Sequence, residues 1–141
     1  MRETFRGPIP ADLLYDTEHD MWVRRVGETV VIGATAFGIH LAGEIIAFTA
    51  KPRGARIERG RGLGTVECAK TVLAVHAPVG FVLDCGNDAL EERPGLLNRD
   101  PYAAWMVRGQ PLDWATECTQ LVDATAYRAH IRRIEPQAEF T

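Results

Sequence analysis

A chain of 141 residues with 46% hydrophobic and 25% charged residues has the composition of a globular protein and length for one domain with a modest core. Its formal net charge of −3 gives no overall electrostatic reason to bind nucleic acid or an anionic membrane. No apolar run approaches the roughly 18 residues needed to cross a bilayer, and residues 1–8 lack the apolar stretch of a secretory signal. Cys68, Cys85 and Cys118 are odd in number, widely spaced and without a Cys-x-x-Cys. That pattern argues against a disulfide framework and for a reducing cytoplasm. His19, His40, His76 and His130 stand apart in sequence, so no metal site is expected.

Residues 1–14 read as an arm kept extended by Pro8 and Pro10, with a helical turn over residues 11–14. Residues 15–25 end in a strand around Trp22 and Val23, Gly27-Glu28 turns the chain, and residues 29–33 form the partner strand. Residues 34–43 predict a short helix, with Thr35 as N-cap, Gly43 as terminator, and Phe37 and Leu41 one turn apart on one face. Residues 44–49 form the next strand. Residues 51–61 hold five cations against Glu58 and enclose a short strand. This segment is either a solvated loop or a docking patch for an acidic partner face.

Leu63, Thr65 and Val66 then form one strand and residues 71–75 another, with Ala69-Lys70 as the turn between them. The chain has fourteen arginines and two lysines, Lys51 and Lys70. A lysine kept at a hairpin tip, where arginine serves elsewhere, points to use of the amine itself, because an amine can be acylated. Residues 79–85 form a further strand with a turn at Gly86-Asn87, and residues 88–102 a loop with a short helix. Residues 105–108 read as the last strand, with Trp105 in the core. Asp113 or Thr116 caps a helix ending near Leu121, and Asp123 caps a second helix. There Tyr127, Ile131 and Ile134 form the buried stripe, while Arg128, Arg132 and Arg133 face water. Many short strands with turns between them suggest a small β-barrel or sandwich edged by helices.

Val66-Glu67-Cys68-Ala69-Lys70, with Pro78 eight residues on, resembles the lipoyl-lysine hairpin of glycine-cleavage H proteins. The resemblance extends to the frame Gly33-x-Thr35…Gly43-Glu44-Ile45, to the stretch from Asn98 to Tyr102, and in type to His19 and Trp22. It implies a mainly β fold: a flattened β-barrel or barrel-sandwich hybrid of the lipoyl/biotinyl kind, with short peripheral helices and a C-terminal helix. The implied organisation is an arm at 1–14, a lipoyl-carrier domain at 15–134 and a tail at 135–141. The implied cofactor is lipoate joined to Lys70, with Glu67, Cys68 and Ala69 completing the attachment hairpin. The protein is then not an enzyme but a cytoplasmic, monomeric carrier, with a swinging dithiolane arm that partner enzymes act upon. Glu67 is either read by the lipoate-attaching enzyme or an ordinary strand-end charge. Cys68, at the family's usual serine position, is either a second thiol near the arm or a buried residue. His19 either orients a substrate or the arm, or is a surface histidine. Ala74 stands where the family usually has an acidic residue.

Two stretches look more like an H-protein-like branch linked to bacterial sulfur oxidation: Phe5-Arg6-Gly7-x-Ile9-Pro10-x-Asp12-Leu13, and residues 41–49. That branch implies a heterodisulfide-reductase-like complex as partner, and the reading leans to it. The alternative is a glycine cleavage H protein carrying an aminomethyl group among the glycine cleavage enzymes. A third reading, motivated by Ala74, is a binding module of the same fold without lipoate.

Overall fold

The computed structural model describes residues 3–141. Apolar alternation in the chain produces β2 (Leu14–Asp16), β3 (Met21–Val26), β4 (Thr29–Ala34), β5 (Ile45–Ala50), β6 (Arg56–Ile57), β7 (Gly62–Cys68), β8 (Thr71–His76), β9 (Phe81–Gly86) and β10 (Val107–Pro111). Six of these form one sheet in the order β2-β3-β4-β10-β9-β6; the other three form a second sheet, β5-β7-β8. Within each sheet, neighbouring strands are antiparallel. Inward residues of both sheets, among them Ile32, Leu63, Phe81, Leu83 and Val107, merge into one core. This is a mainly β, barrel-sandwich architecture with short helices at its margins. Gly33 is required where β4 passes Trp22: a Cβ there would lie 2.5 Å from the indole ring.

The helices follow local signals. α1 (Ala36–Ala42) starts at Thr35, whose hydroxyl accepts from the Gly38 N–H, and stops at Gly43, at φ 87°. α2 (Asp88–Glu92) and α3 (Leu96–Arg99) fill the connection to β10. Asp113 caps α4 (Trp114–Glu117), and a 3-10 turn, Cys118–Gln120, follows. Asp123 caps α5 (Ala124–Ile134) by accepting from the Ala126 N–H.

A second apolar cluster lies outside the barrel. Phe5, Ile9 and Leu13 bury against Trp22, Phe37, Tyr127 and Ile131. β1 (Arg6–Gly7) pairs in parallel with β11 (Glu139–Phe140), so the stretch read as an arm is fastened to the chain's other end. Tyr15 and Tyr127 stack with centroids 4.7 Å apart. Beside them runs a buried relay. The Gly38 N–H donates to Thr35, the Thr35 and Tyr127 hydroxyls are 2.7 Å apart, and Tyr127 donates to Asp20 Oδ1 at 2.7 Å. The Asp20 carbonyl accepts from the Thr35 N–H. Burial raises the Asp20 carboxyl above its ordinary value, and burial with the adjacent Asp20 charge pushes the Tyr127 phenol well up.

Several sequence expectations are corrected. Residues 11–14 form a turn running into β2 instead of a helical turn. Leu41 is 38% exposed, because Phe37 enters the arm-side cluster while Ile39 enters the barrel core. The helix is wedged between two cores, so the Phe37–Leu41 stripe does not persist. The strand begins at Val107, and Trp105 is half-buried before it, under the Arg108 guanidinium. Ile134, the last residue of α5, is 51% exposed. Arg128 turns inward to donate to the Ile9 carbonyl, whereas Arg132 and Arg133 are exposed as expected, Arg132 lying over Phe140.

Tyr127→Phe is expected to cost about 1–3 kcal/mol, because it leaves the half-buried Asp20 carboxyl and the buried Thr35 hydroxyl short of a partner. Urea denaturation should show a lower midpoint with an unchanged slope. A second expectation concerns pH. The folded-state Asp20 carboxyl is raised, so its contribution is fully present below the unfolded carboxylate value and is lost as pH rises through the folded one. Asp20→Asn suits the positive φ of 57° at this position and should remove that part of the stability–pH slope in denaturation series.

Candidate functional site

The β7–β8 hairpin pairs Glu67 with Val72 and Cys68 with Thr71, which leaves Ala69 and Lys70 as a two-residue connection. Period-two alternation then sorts the side chains. Val66 and Cys68 point into the core; Thr65 and Glu67 point to solvent. Lys70 is exposed at the apex, and among the described residues it makes no hydrogen bond or ion pair. Of the expected attachment residues, Glu67, Ala69 and Lys70 are open to a visiting enzyme. Cys68 is buried and free of any disulfide, which is the buried alternative of the two readings.

β8 is an edge strand, and Thr71, Val72, Leu73 and Ala74 are all exposed. Leu73, Ala74 and Val75 line an apolar cleft of about 140 Å³, whose opposite wall includes Met21, Ile39 and Met106. Leu73 lies roughly 10 Å along the strand from Lys70. His19, Asp20 and His76 form the polar part of this cleft. The two imidazoles stack with centroids 4.5 Å apart. His76 Nδ1 is 2.9 Å from the Gly60 carbonyl and therefore donates to it, and His19 Nδ1 is 3.1 Å from Asp16 Oδ2. Beyond the pair lies a polar pocket of about 280 Å³, lined by Asp16, Glu18 and Arg59 among others. The Asp16, Glu18 and His19 ligand atoms lie within 4.8 Å of one another. Asp16 there accepts from the Glu18 N–H and faces His19, as the side chain of a local turn does.

The histidine pair was not foreseen. His19 and His76 are 57 positions apart, and no sequence spacing announces a contact that two different sheets create. The Asn98–Tyr102 stretch is explained by packing. Asn98 accepts from the Ile45 N–H and donates to the Gly43 carbonyl, which holds the corner between α1 and β5. Tyr102 donates to the Pro8 carbonyl and accepts from the Ala36 N–H, and burial pushes its phenol up to about 12.

Comparison with known proteins bears on this hairpin. The glycine cleavage H-protein family model matches residues 13–134. The chain belongs to this family. It is 40% identical over 125 residues to the glycine cleavage system H protein of Mycobacterium avium, covering 85% of this chain and 94% of that one. It is 36% identical over 129 residues to that of Anaeromyxobacter sp. strain K, covering 90% and 98%. The crystal structure of a glycine cleavage system H protein from Mycobacterium marinum superposes with a TM-score of 0.74 at 26% identity, covering 86% of this chain and 97% of the other. Glycine cleavage H proteins carry a covalently attached lipoate on a lysine. These relatives favour the glycine cleavage reading over the lean to sulfur oxidation, which they do not support. Among the described residues, no helix is long and apolar enough to cross a membrane.

Cys68 is expected to resist a water-soluble maleimide in the folded protein and to react once the chain is unfolded. Peptide mapping separates it from the half-buried Cys85 and Cys118.

Proposed function

We propose that this chain is a lipoyl carrier of the glycine cleavage system, with lipoate amide-linked to Lys70. The observation that carries the proposal is the lysine's position: exposed, without an ion pair among the described residues, and at the tip of a hairpin whose base is fixed in the barrel. A carrier needs its attachment point to reach into another protein's active site while the stem stays in place. β7 is hydrogen-bonded on both sides, to β5 and β8, and its inward side chains are buried, so the stem does not bend with the tip. Acylation removes the ammonium charge, and because Lys70 has no ionic partner among the described residues, that loss leaves no carboxylate among them orphaned.

A lipoyl group held on Lys70 would supply a disulfide able to accept a carbon substituent together with its electron pair, the second sulfur leaving as a thiolate. The chain's own residues position and shelter. Glu67 and Ala69 flank the amine on the exposed side, where a lipoate-attaching enzyme meets them. Leu73, Ala74 and Val75 offer an apolar wall along which a hydrocarbon arm can lie out of water. The partners are that attaching enzyme and the glycine cleavage enzymes. The protein acts as their substrate and has no catalytic residue of its own in this reading.

The two stretches that resembled the sulfur-oxidation branch have structural work in this fold. Phe5, Ile9 and Leu13 are core residues of the arm-side cluster, and residues 41–49 supply the end of α1 and most of β5. Ala74, which motivated a module without lipoate, lies on the cleft wall and leaves the amine untouched.

Intact mass after expression with lipoate and a lipoate ligase tests the reading. The wild-type protein should gain one lipoyl group and Lys70→Arg none, with the variant's stability within about 0.5 kcal/mol of wild type. A wild-type protein left unmodified by every ligase offered would sink it.

A further inference from the structure

Residues 51–61 are not the loose solvated loop that their composition allows. Ile57 is buried, and β6 pairs with β9. The Gly54 N–H donates to the Leu83 carbonyl, the Leu83 N–H to Ala55, the Gly60 N–H to Ala77, and the Ala77 N–H to Arg61. The segment is therefore tied to the barrel along its length, and its cations are presented on a fixed backbone. It holds five cations against Glu58, a formal +4, in a chain whose net charge is −3, so the remaining residues carry −7. Charge in this molecule is segregated.

The adjoining sheet face extends the positive surface. Register places Arg24, Val31 and Arg108 across from one another on β3, β4 and β10, and Gln110, Val82 and Arg56 on β10, β9 and β6. On β10, Arg108 and Gln110 are exposed while Val107 and Gly109 are buried, so these rows face outward. The carboxylates nearby include Asp84, 3.7 Å from Arg53, and Glu58, 3.0 Å from Arg56, all of them exposed, together with Asp16 and Glu18, which line the polar pocket that Arg59 borders. Such pairs contribute little and exchange partners readily. Lys51, Arg59 and Arg61 make no ion pair among the described residues.

We propose that this basic surface docks an acidic face of the enzyme that takes up the Lys70 arm, an inference that rests on the carrier reading above. Segment 51–61 feeds directly into β7 at the base of the hairpin, and the seven residues of β7 separate it from the tip by roughly 20–25 Å. An ordinary interface covers about 800 Å² per partner, a disc roughly 30 Å across, so one enzyme can hold the basic base while its active site receives the tip. A fixed array of guanidinium groups needs little further ordering on binding. The acidic remainder of the chain disfavours an extended polyanion, so a protein surface fits better than nucleic acid.

The test is binding of the full chain, with and without lipoate, to purified glycine decarboxylase by fluorescence anisotropy from about 25 to 300 mM salt. Wild-type affinity should fall as salt rises. Arg59→Glu with Arg61→Glu removes no ion pair among the described residues; it should weaken low-salt binding about tenfold and flatten the salt dependence. Arg59→Gln with Arg61→Gln, checked for folding by circular dichroism, should lie between. Absence of wild-type binding, equal affinity of wild type and the Glu variant, or an unchanged salt slope overturns the proposal. Tighter binding of a DNA duplex, lost in the same variant, overturns it in favour of a nucleic-acid surface. Lipoylation read by mass is expected in wild type and variant alike. Its absence with salt-sensitive binding intact would remove the carrier reading and leave the docking surface standing.

Discussion

A two-residue turn leaves no freedom in how β7 and β8 face each other. Glu67 must oppose Val72 and Cys68 must oppose Thr71, and side chains then alternate between core and solvent with a period of two. A slip of one position would turn Val66 and Cys68 outward and bring Glu67 inside, an outcome the core cannot accommodate. The apex location of Lys70 is thus enforced by burial several residues away. Nothing at the tip itself needs to hold the lysine in place, which is why its amine can stand without a partner among the described residues.

The second cluster serves the same end from a distance. The arm, α5 and the terminal β1–β11 pair cover Trp22 and Phe37, and the Gly38–Thr35–Tyr127–Asp20 relay joins that layer to the corner where β3 begins. Asp20 also borders the cleft beside the hairpin. The backbone there takes a left-handed turn at a non-glycine residue, tolerated because the side chain, the carbonyl and the following strand are each bonded into the relay. The outer layer is thus linked to the cleft wall through the relay, which contributes Asp20 and Gly38 to its lining.

Local grammar was readable from the residues. The caps at Thr35, Asp113 and Asp123, the stop at Gly43, the turn at Gly27-Glu28 and the β7–β8 hairpin all rest on interactions spanning a few positions, and all are present. Non-local placement was not readable. Leu41 and Ile134 have helical spacing for burial, but whether a stripe is covered depends on which cluster lies opposite. Arg128 has a charged residue's pattern, yet it turns inward because an arm carbonyl waits there. The turn position of Lys70 followed from the strand runs on either side of it, and Cys68 had two readings that only strand register could separate. The stacked histidines had no signal at all, since two sheets bring them together. The resemblance on short motifs pointed correctly to the family; its finer branch did not follow, because those motifs serve packing.

The outer edge of β8 has a cost built into its use. Most exposed sheet edges are blunted by charge, proline or a bulge, but Thr71 to Ala74 carry none of these, and two of the four are bulky and apolar. A charged or proline-bearing guard at this margin would stand in the road that a tethered hydrocarbon must travel between tip and cleft. The strand is left bare on the side where traffic passes, and with it comes a standing vulnerability to self-association whenever the molecule is crowded.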